Sequence, residues 1–437
     1  MNLPRASLGE IRRLTAAGAV LAASVFTLAA APAAAVALTL RVAGSSVHAG
    51  ASVPRSARAA SQFTPPQIVA PEAILIETDR GRTLFARAPE RRVAIASTTK
   101  LMTAYVTLAR EPLTRKLVEQ PYAAGSGESL AGLPAGVRFT VAELLRAMLL
   151  PSGNDVANSL AIDVGGNVSH FLTLMNAAAR KLGLAGTHYS TPAGLDTPGN
   201  YSTAADLAKL AGVLLQNPFF ASVAREQRAY LPGIEVFNHE GYLLAEHRYL
   251  VGVKSGHTGD AGYCFVGAAR WHGVHLISVV LGDPSQAQRD VDSIALLRYG
   301  LSLYHRVWFA KAGSTYAEVA VNGTTDQVAL VSTDSEDAVV RHGAALAVNV
   351  VGVPSSLAGP IAAGTQEGTL ELTENGALVR SVPLVTAADV PAPPPPPPAP
   401  VTQGAALYGI AVPVLAVVGG CSLMLMRRSL RRRRDRA

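Results

Sequence analysis

Residues 96–105 read ASTTKLMTAY, and the apolar spacing carried on by Val106, Leu108 and Ala109 predicts a helix over residues 101–110. Ser97 stands at the opening of that helix with Lys100 three positions on, so hydroxyl and amine share a face and can touch. The helix N-terminus would favour negative charge on the oxygen. A serine hydroxyl is a weak nucleophile until a neighbouring base takes its proton, and lysine can be that base only if burial or a second cation lowers its pKa. Alone the string carries little, because about one S-x-x-K is expected by chance in a chain of this length.

Two further strings follow downstream. Residues 149–161 read LLPSGNDVANSLA, with Ser152, Gly153 and Asn154 directly after Pro151, which closes the helical pattern VAELLRAMLL at 141–150. Thr140 and Glu143 form a T-x-x-E capping box at the start of that helix. A hydroxyl and an amide on one tight turn can pass a proton and hold a substrate amide, but Ser-Gly-Asn is also an ordinary loop. Residues 251–269, VGVKSGHTGDAGYCFVGAA, read as a strand whose small residues let something approach the backbone. Lys254 and Ser255 side by side on such an edge can bind a carboxylate; an exposed strand lysine beside a turn serine is the plainer alternative.

In this order, S-x-x-K, S-x-N and K-S-G resemble the motifs of serine β-lactamases and penicillin-binding proteins, S-x-x-K, S-D-N and K-T-G. With THYSTPAGLD at 187–196 and YSTAADLAKL at 201–210, the chain resembles in particular the low-molecular-mass D-alanyl-D-alanine carboxypeptidases. The likeness spans roughly residues 70–305, and more loosely 315–386, where PIAAGTQEGTLEL (360–372) and VPLVTAADV (382–390) carry it. It implies an α+β fold with a β-lactamase/transpeptidase-like catalytic domain, an antiparallel sheet flanked by helices, followed by a small all-β domain and a C-terminal transmembrane helix.

The resemblance also implies roles. Ser97 would be the acylated nucleophile, Lys100 its general base, and Ser152 a relay of the proton to departing D-alanine. Asn154 would hold a peptide amide. Lys254 and Ser255, on one substrate-binding strand with Gly256 and His257, would grip the terminal carboxylate, while the Lys254 ammonium lowers the Lys100 pKa. Backbone N–H groups of Ser97 and His257 would form the oxyanion hole, leaving the His257 side chain no part as a base. Substrates would be peptidoglycan stem peptides, with β-lactams as acylating inhibitors and no cofactor.

Three departures stand out. Ser255 occupies a place where the family usually has Thr, NHEGYLL at 238–244 matches an Asn-rich family segment only in part, and Cys264 reads as a small buried hydrophobe. Other activities on the same fold stay open: a D,D-endopeptidase, a β-lactamase, or a non-catalytic module that binds peptidoglycan. Against a class A β-lactamase stands Gly153 where S-D-N has Asp.

Composition bounds the rest. With 437 residues, 49% hydrophobic and 16% charged, the chain is neither a disordered polymer nor a disulfide scaffold, and it has only Cys264 and Cys421. The net charge of +7 comes from the ends: residues 59–403 hold 25 basic and 29 acidic side chains, so no nucleic-acid partner is expected. No H-x-x-x-H or H-E-x-x-H pattern occurs among the ten histidines, and no metal is expected.

Both ends carry membrane signals. Arg12 and Arg13 precede the uncharged, Ala-rich run Leu14–Leu40, so residues 1–37 read as a signal peptide or a retained N-terminal anchor, and 38–62 as a flexible leader. The catalytic domain is expected over 63–312 and the β-rich domain over 313–390. A Pro-rich spacer, 391–403, includes PAPPPPPPAP and would extend as polyproline II. Residues 404–426 are 23 uncharged residues, read as a transmembrane helix, and the tail 427–437 adds seven arginines. By the positive-inside rule that tail is cytoplasmic and the catalytic domain lies outside the membrane.

Overall fold

The computed structural model describes residues 40–42, 63–393 and 395. The signal or anchor segment, nearly all of the leader, most of the spacer, the apolar run 404–426, the arginine tail and Cys421 lie outside the described residues. Among the described residues, no helix is long and apolar enough to cross a membrane.

The catalytic domain is built on five strands: β1 (Glu72–Glu77), β2 (Arg82–Arg87), β3 (Leu250–Thr258), β4 (Gly262–Trp271) and β5 (Val274–Asp283). They run antiparallel in the order β2-β1-β5-β4-β3, as the resemblance implied. Because a strand alternates its side chains, both faces are apolar. Ile74, Val266, Ile277 and Val279 enter the core shared with the helices, and the neighbouring Leu75, Phe265, Leu276 and Val280 enter a second core against the long helix Gln286–Ser302. The sheet is buried on both faces, and β3 is one of its two edge strands.

Four helices place the chemistry: α1 (Lys100–Arg110), α2 (Val141–Leu149), α3 (Asn154–Gly165) and α4 (Val168–Lys181). The capping box forms as read, with the Glu143 N–H donating to Thr140 Oγ1 at 3.2 Å and the Thr140 N–H donating to Glu143 Oε2 at 2.7 Å. Leu101, Met102, Leu144, Leu145, Val156 and Leu160 are fully buried together, which fixes α1, α2 and α3 as one body.

The segment 251–269 corrects the sequence reading. It is not one strand but the hairpin β3–β4, turning through Gly259–Asp260–Ala261. The small residues that the sequence reading took as room for a close approach, Gly259 and Ala261 beside Asp260, are the turn itself.

The second domain is all β. A sheet ordered Leu40–Val42, Leu346–Val351, Gln366–Glu374, Ala377–Thr386, Gln327–Ser332, Thr315–Val321 and Ser356–Leu357 packs with the pair Tyr304–Ala310 and Glu336–Arg341. Two expectations change here. Leu40–Val42, assigned to the flexible leader, pairs in parallel with Val348–Val350. The boundary expected at 312/313 falls at 303/304, because Tyr304–Ala310 pairs with Glu336–Arg341 and gives Val307 and Phe309 to the second domain's core. Alternation in YHRVWFA suits either domain, and only the pairing partner assigns it. Contacts between the domains include Arg80 with the buried Glu374 at 3.2 Å and Phe63 stacked on His342 at 4.7 Å between ring centroids.

Candidate active site

Ser97 lies in a tight 3-10 turn, Ala96–Thr99, that feeds directly into α1. Two glycines hold this turn in place. Gly194, at φ +92, presses so closely on the Ala96 carbonyl that any Cβ there would overlap it. On the other side, a Cβ at Gly256 would come within 2.7 Å of the Ser97 backbone nitrogen, so β3 meets the serine turn backbone to backbone. That close approach is why the strand carries glycine after Lys254 and Ser255.

Lys100 begins α1 and is wholly buried. Its Nζ lies 2.8 Å from Ser97 Oγ, 2.6 Å from Asn154 Oδ1 and 2.8 Å from the Ala193 carbonyl oxygen. The last two atoms can only accept, so the amine must donate to both. A neutral amine has two N–H bonds and one lone pair, and the lone pair is therefore left facing Ser97. Burial pushes the Lys100 pKa well below the ordinary amine value, the Lys254 charge adds to this, and Asp155 and Glu128 oppose it. Both conditions for a lysine base are met.

The S-x-N turn supplies the third side. Ser152 takes a left-handed conformation, φ +62, uncommon for a residue with a side chain. It is 3% exposed and its Oγ has no hydrogen-bond partner, so the hydroxyl stands ready for a donor or acceptor brought by substrate. Asn154 opens α3, with Oδ1 on Lys100 and Nδ2 donating to Glu128 Oε2 at 2.8 Å.

Lys254 is 2% exposed, not the solvated strand lysine of the plainer alternative, and donates to the Ser255 carbonyl at 2.9 Å. Burial lowers its pKa to about 8, with Glu240 opposing the shift and Arg289 adding to it. Ser255 and Gly256 are buried beside it on β3. His257 is the first exposed residue of that strand, and its ring stacks on Tyr263 at 3.9 Å between centroids, outside the hydrogen-bonded cluster around Lys100. Cys264 is fully buried, and burial pushes its thiol up to about 12, which leaves it inert.

The structure thus gathers Ser97, Lys100 and Asn154 into one hydrogen-bonded cluster, with Ser152 two residues from Asn154 and Gly256 against Ser97. Sequence reasoning missed several partners. The Ala193 carbonyl lay inside the quoted TPAGLD string, but nothing in a side-chain pattern announces a backbone acceptor. Glu240 lay inside the quoted NHEGYLL string without being singled out, while its ion-pair partner Arg289, 3.5 Å away, and Glu128, in the polar loop GSGES, showed no sequence signal.

A Gly256→Ala variant tests the close approach. The added methyl must push β3 away from the Ser97 N–H, so acylation by a penicillin is expected to fall by about tenfold or more, from misplacement of one oxyanion donor. A stopped-flow acylation rate unchanged from wild type would show that the strand and the turn do not act together.

Fold and site together define an active-serine hydrolase of the penicillin-binding fold, mixed α/β with a C-terminal all-β domain. Residues 59–285 match the D-alanyl-D-alanine carboxypeptidase family, and residues 304–392 match the C-terminal domain of penicillin-binding protein 5. The D-alanyl-D-alanine carboxypeptidase DacA of Escherichia coli strain K12 is 31% identical over 342 residues, 75% of this chain and 85% of that protein. DacF of Bacillus subtilis strain 168 is 28% identical over 336 residues, 74% of this chain and 86% of its own length. Among solved structures, the Streptomyces K15 DD-transpeptidase superposes with a TM-score of 0.53 at 34% identity, covering 55% of this chain and all of that one. Penicillin-binding protein 5 of Haemophilus influenzae gives 0.54 at 30% identity, covering 75% and 98%. The chain belongs to the D-alanyl-D-alanine carboxypeptidase family. It is a serine-type D-alanyl-D-alanine carboxypeptidase, a hydrolase with the architecture of a low-molecular-mass penicillin-binding protein.

Proposed function

We propose that this enzyme removes the terminal D-alanine from peptidoglycan stem peptides through an acyl-enzyme on Ser97, and that β-lactams acylate the same oxygen. The observation that carries this is the Lys100 amine, buried and bonded to two obligate acceptors, with its remaining valence 2.8 Å from Ser97 Oγ. Lys100 takes the Ser97 proton as Oγ attacks the carbonyl carbon of the penultimate D-alanine. The oxyanion forms beside the backbone N–H groups of Ser97 and His257, where β3 meets the serine turn. Collapse breaks the C–N bond, and the leaving amine takes a proton from Lys100 by way of Ser152, whose hydroxyl is unengaged. Water then attacks the ester, gives its proton to Lys100 and frees Ser97. Lys254, still largely cationic at neutral pH, and Ser255 hold the terminal carboxylate. Asn154 keeps one free lone pair and one free N–H, enough to meet a peptide amide while it holds Lys100.

We propose further that residues 404–426 anchor the chain in the membrane, with the arginine tail cytoplasmic and the catalytic domain outside. The 23 uncharged residues and the seven arginines behind them support this.

One preparation tests both proposals. The full chain, expressed in bacteria, should sediment with membranes and leave them only with detergent; a freely soluble chain would remove the anchor. The solubilised enzyme is then given a fluorescent penicillin and a stem pentapeptide. Stable labelling with D-alanine release is expected. Labelling without release would indicate a binding module, and fast penicillin turnover a β-lactamase.

A further inference from the structure

The lone pair of Lys100 faces Ser97 only because Asn154 presents its oxygen, and not its NH2 group, to the amine. The two ends of an asparagine amide have nearly the same shape, so packing does not choose between them. With the amide reversed, Nδ2 would demand the Lys100 lone pair, and Ser97 would face an N–H bond.

What selects the orientation is Glu128. A carboxylate can only accept, so it can bond Asn154 through Nδ2 alone, which it does at 2.8 Å. Glu128 is itself pinned: Tyr122 donates its hydroxyl to the same Oε2 at 2.5 Å, and the Gly125 N–H donates to Oε1 at 2.9 Å. Burial works against the ionised carboxyl. The bonds from Tyr122, Asn154 and Gly125, with the Lys100 charge, more than offset this and hold its pKa below the ordinary carboxylate value. Glu128 therefore stays an obligate acceptor at neutral pH, and a hydrogen-bonded chain runs from Tyr122 through Glu128, Asn154 and Lys100 to Ser97.

We propose that Glu128, held by Tyr122, is a positioning residue for acyl transfer, fixing the Asn154 amide so that Lys100 turns its lone pair to Ser97 Oγ. The proposal rests on Ser97 being the nucleophile, as set out above. It ties the catalytic base to the loop 121–132, which contributes no group to the reacting atoms.

The test is the acylation rate of the full-length, detergent-solubilised enzyme by a fluorescent penicillin, measured against pH beside thermal melting. Glu128→Ala leaves Nδ2 without its acceptor and should slow acylation about tenfold to hundredfold, the scale of one hydrogen bond to a charged group. Glu128→Gln keeps the shape but, like Asn154, carries a donor end; with the Gly125 N–H claiming its oxygen, its NH2 faces Nδ2, so the Asn154 orientation is no longer enforced and acylation should fall by about tenfold as well. The titratable groups around Lys100 are Lys254 on β3, Asp155 on α3, Glu128 itself and His239, whose pKa is lowered by burial and by the Lys254 and Lys100 charges; since Glu128 favours the Lys100 cation, its loss in the Gln variant should move the acid limb of the profile to lower pH. A purely structural loop contact predicts neither a loss in the isosteric Gln variant nor that displacement. Wild-type rates in Glu128→Ala or in Glu128→Gln overturn the proposal. If Glu128→Ala melts well below wild type, Tyr122→Phe decides, because it keeps the ring and removes only the hydroxyl: a several-fold loss supports the role and an unchanged rate ends it. A wild-type enzyme that takes no label would instead sink Ser97 as nucleophile.

Discussion

Ser97→Ala enzyme is expected to fold as wild type does, to take no covalent label from a fluorescent penicillin, and to release D-alanine from a pentapeptide at a rate lower by on the order of 10³–10⁶-fold. Without Oγ no acyl-enzyme forms, and the residual rate comes from binding and oxyanion stabilisation of direct water attack. Lys100→Arg should lose about as much. Guanidinium cannot give up its proton near neutrality, so no base remains beside Ser97. Because serine and lysine act as one unit, separated by 2.8 Å, the double variant should be scarcely worse than either single one. Ser97 is only half-buried and its replacement removes one oxygen, so thermal melting should stay near that of wild type. Covalent labelling that survives in Ser97→Ala would mean that another nucleophile does the chemistry.

The second large effect is in the pH profile. Acylation needs Lys100 neutral, so kcat/KM should rise with pH through the Lys100 pKa, which burial and the Lys254 charge set well below the ordinary amine value. Carboxylate binding needs Lys254 charged, so kcat/KM for the peptide should fall again above about pH 8, where Lys254 gives up its proton. A bell is expected, with its alkaline limb belonging to Lys254. Lys254→Ala should remove that limb, move the acid limb upward because a cation beside Lys100 is gone, and lower kcat/KM by about 10²–10³-fold through a raised KM. An alkaline limb that persists near pH 8 in Lys254→Ala would assign it to another group. Stability follows the same linkage with a definite sign. Both amines have folded pKa values below their unfolded ones, so the unfolded chain holds more protons between about pH 8 and 10.5, and this pair's contribution to stability rises with pH across that window.

Lys100 and Glu128 show where sequence reading succeeds and where it stops. The contact between Ser97 and Lys100 is local, set by a three-residue spacing along one turn and helix, and it forms as that spacing predicts. The capping box at Thr140 and Glu143 is local in the same way. Glu128 meets Asn154 across 26 positions, and Lys100 meets Ala193 across 93, through a carbonyl that every residue possesses. No periodicity encodes such pairs. The domain boundary at 303/304 escaped for a related reason: an alternating apolar string states that it will pair, not with which partner.

By itself the sequence determined a mixed α/β body, the three strings, and the apolar and arginine-rich ends, since these are written in spacing and composition over short stretches; the nucleophile and base proposed for Ser97 and Lys100 came from the family resemblance that the strings carry. Tertiary structure alone decided that Lys254 is buried beside Lys100, that Ser152 keeps a free hydroxyl, that two acceptor oxygens aim the lysine lone pair, and that a carboxylate from a polar loop fixes one of them. Burial and field depend on which distant segments close over a group, and a pKa or a lone-pair direction exists only once they have closed.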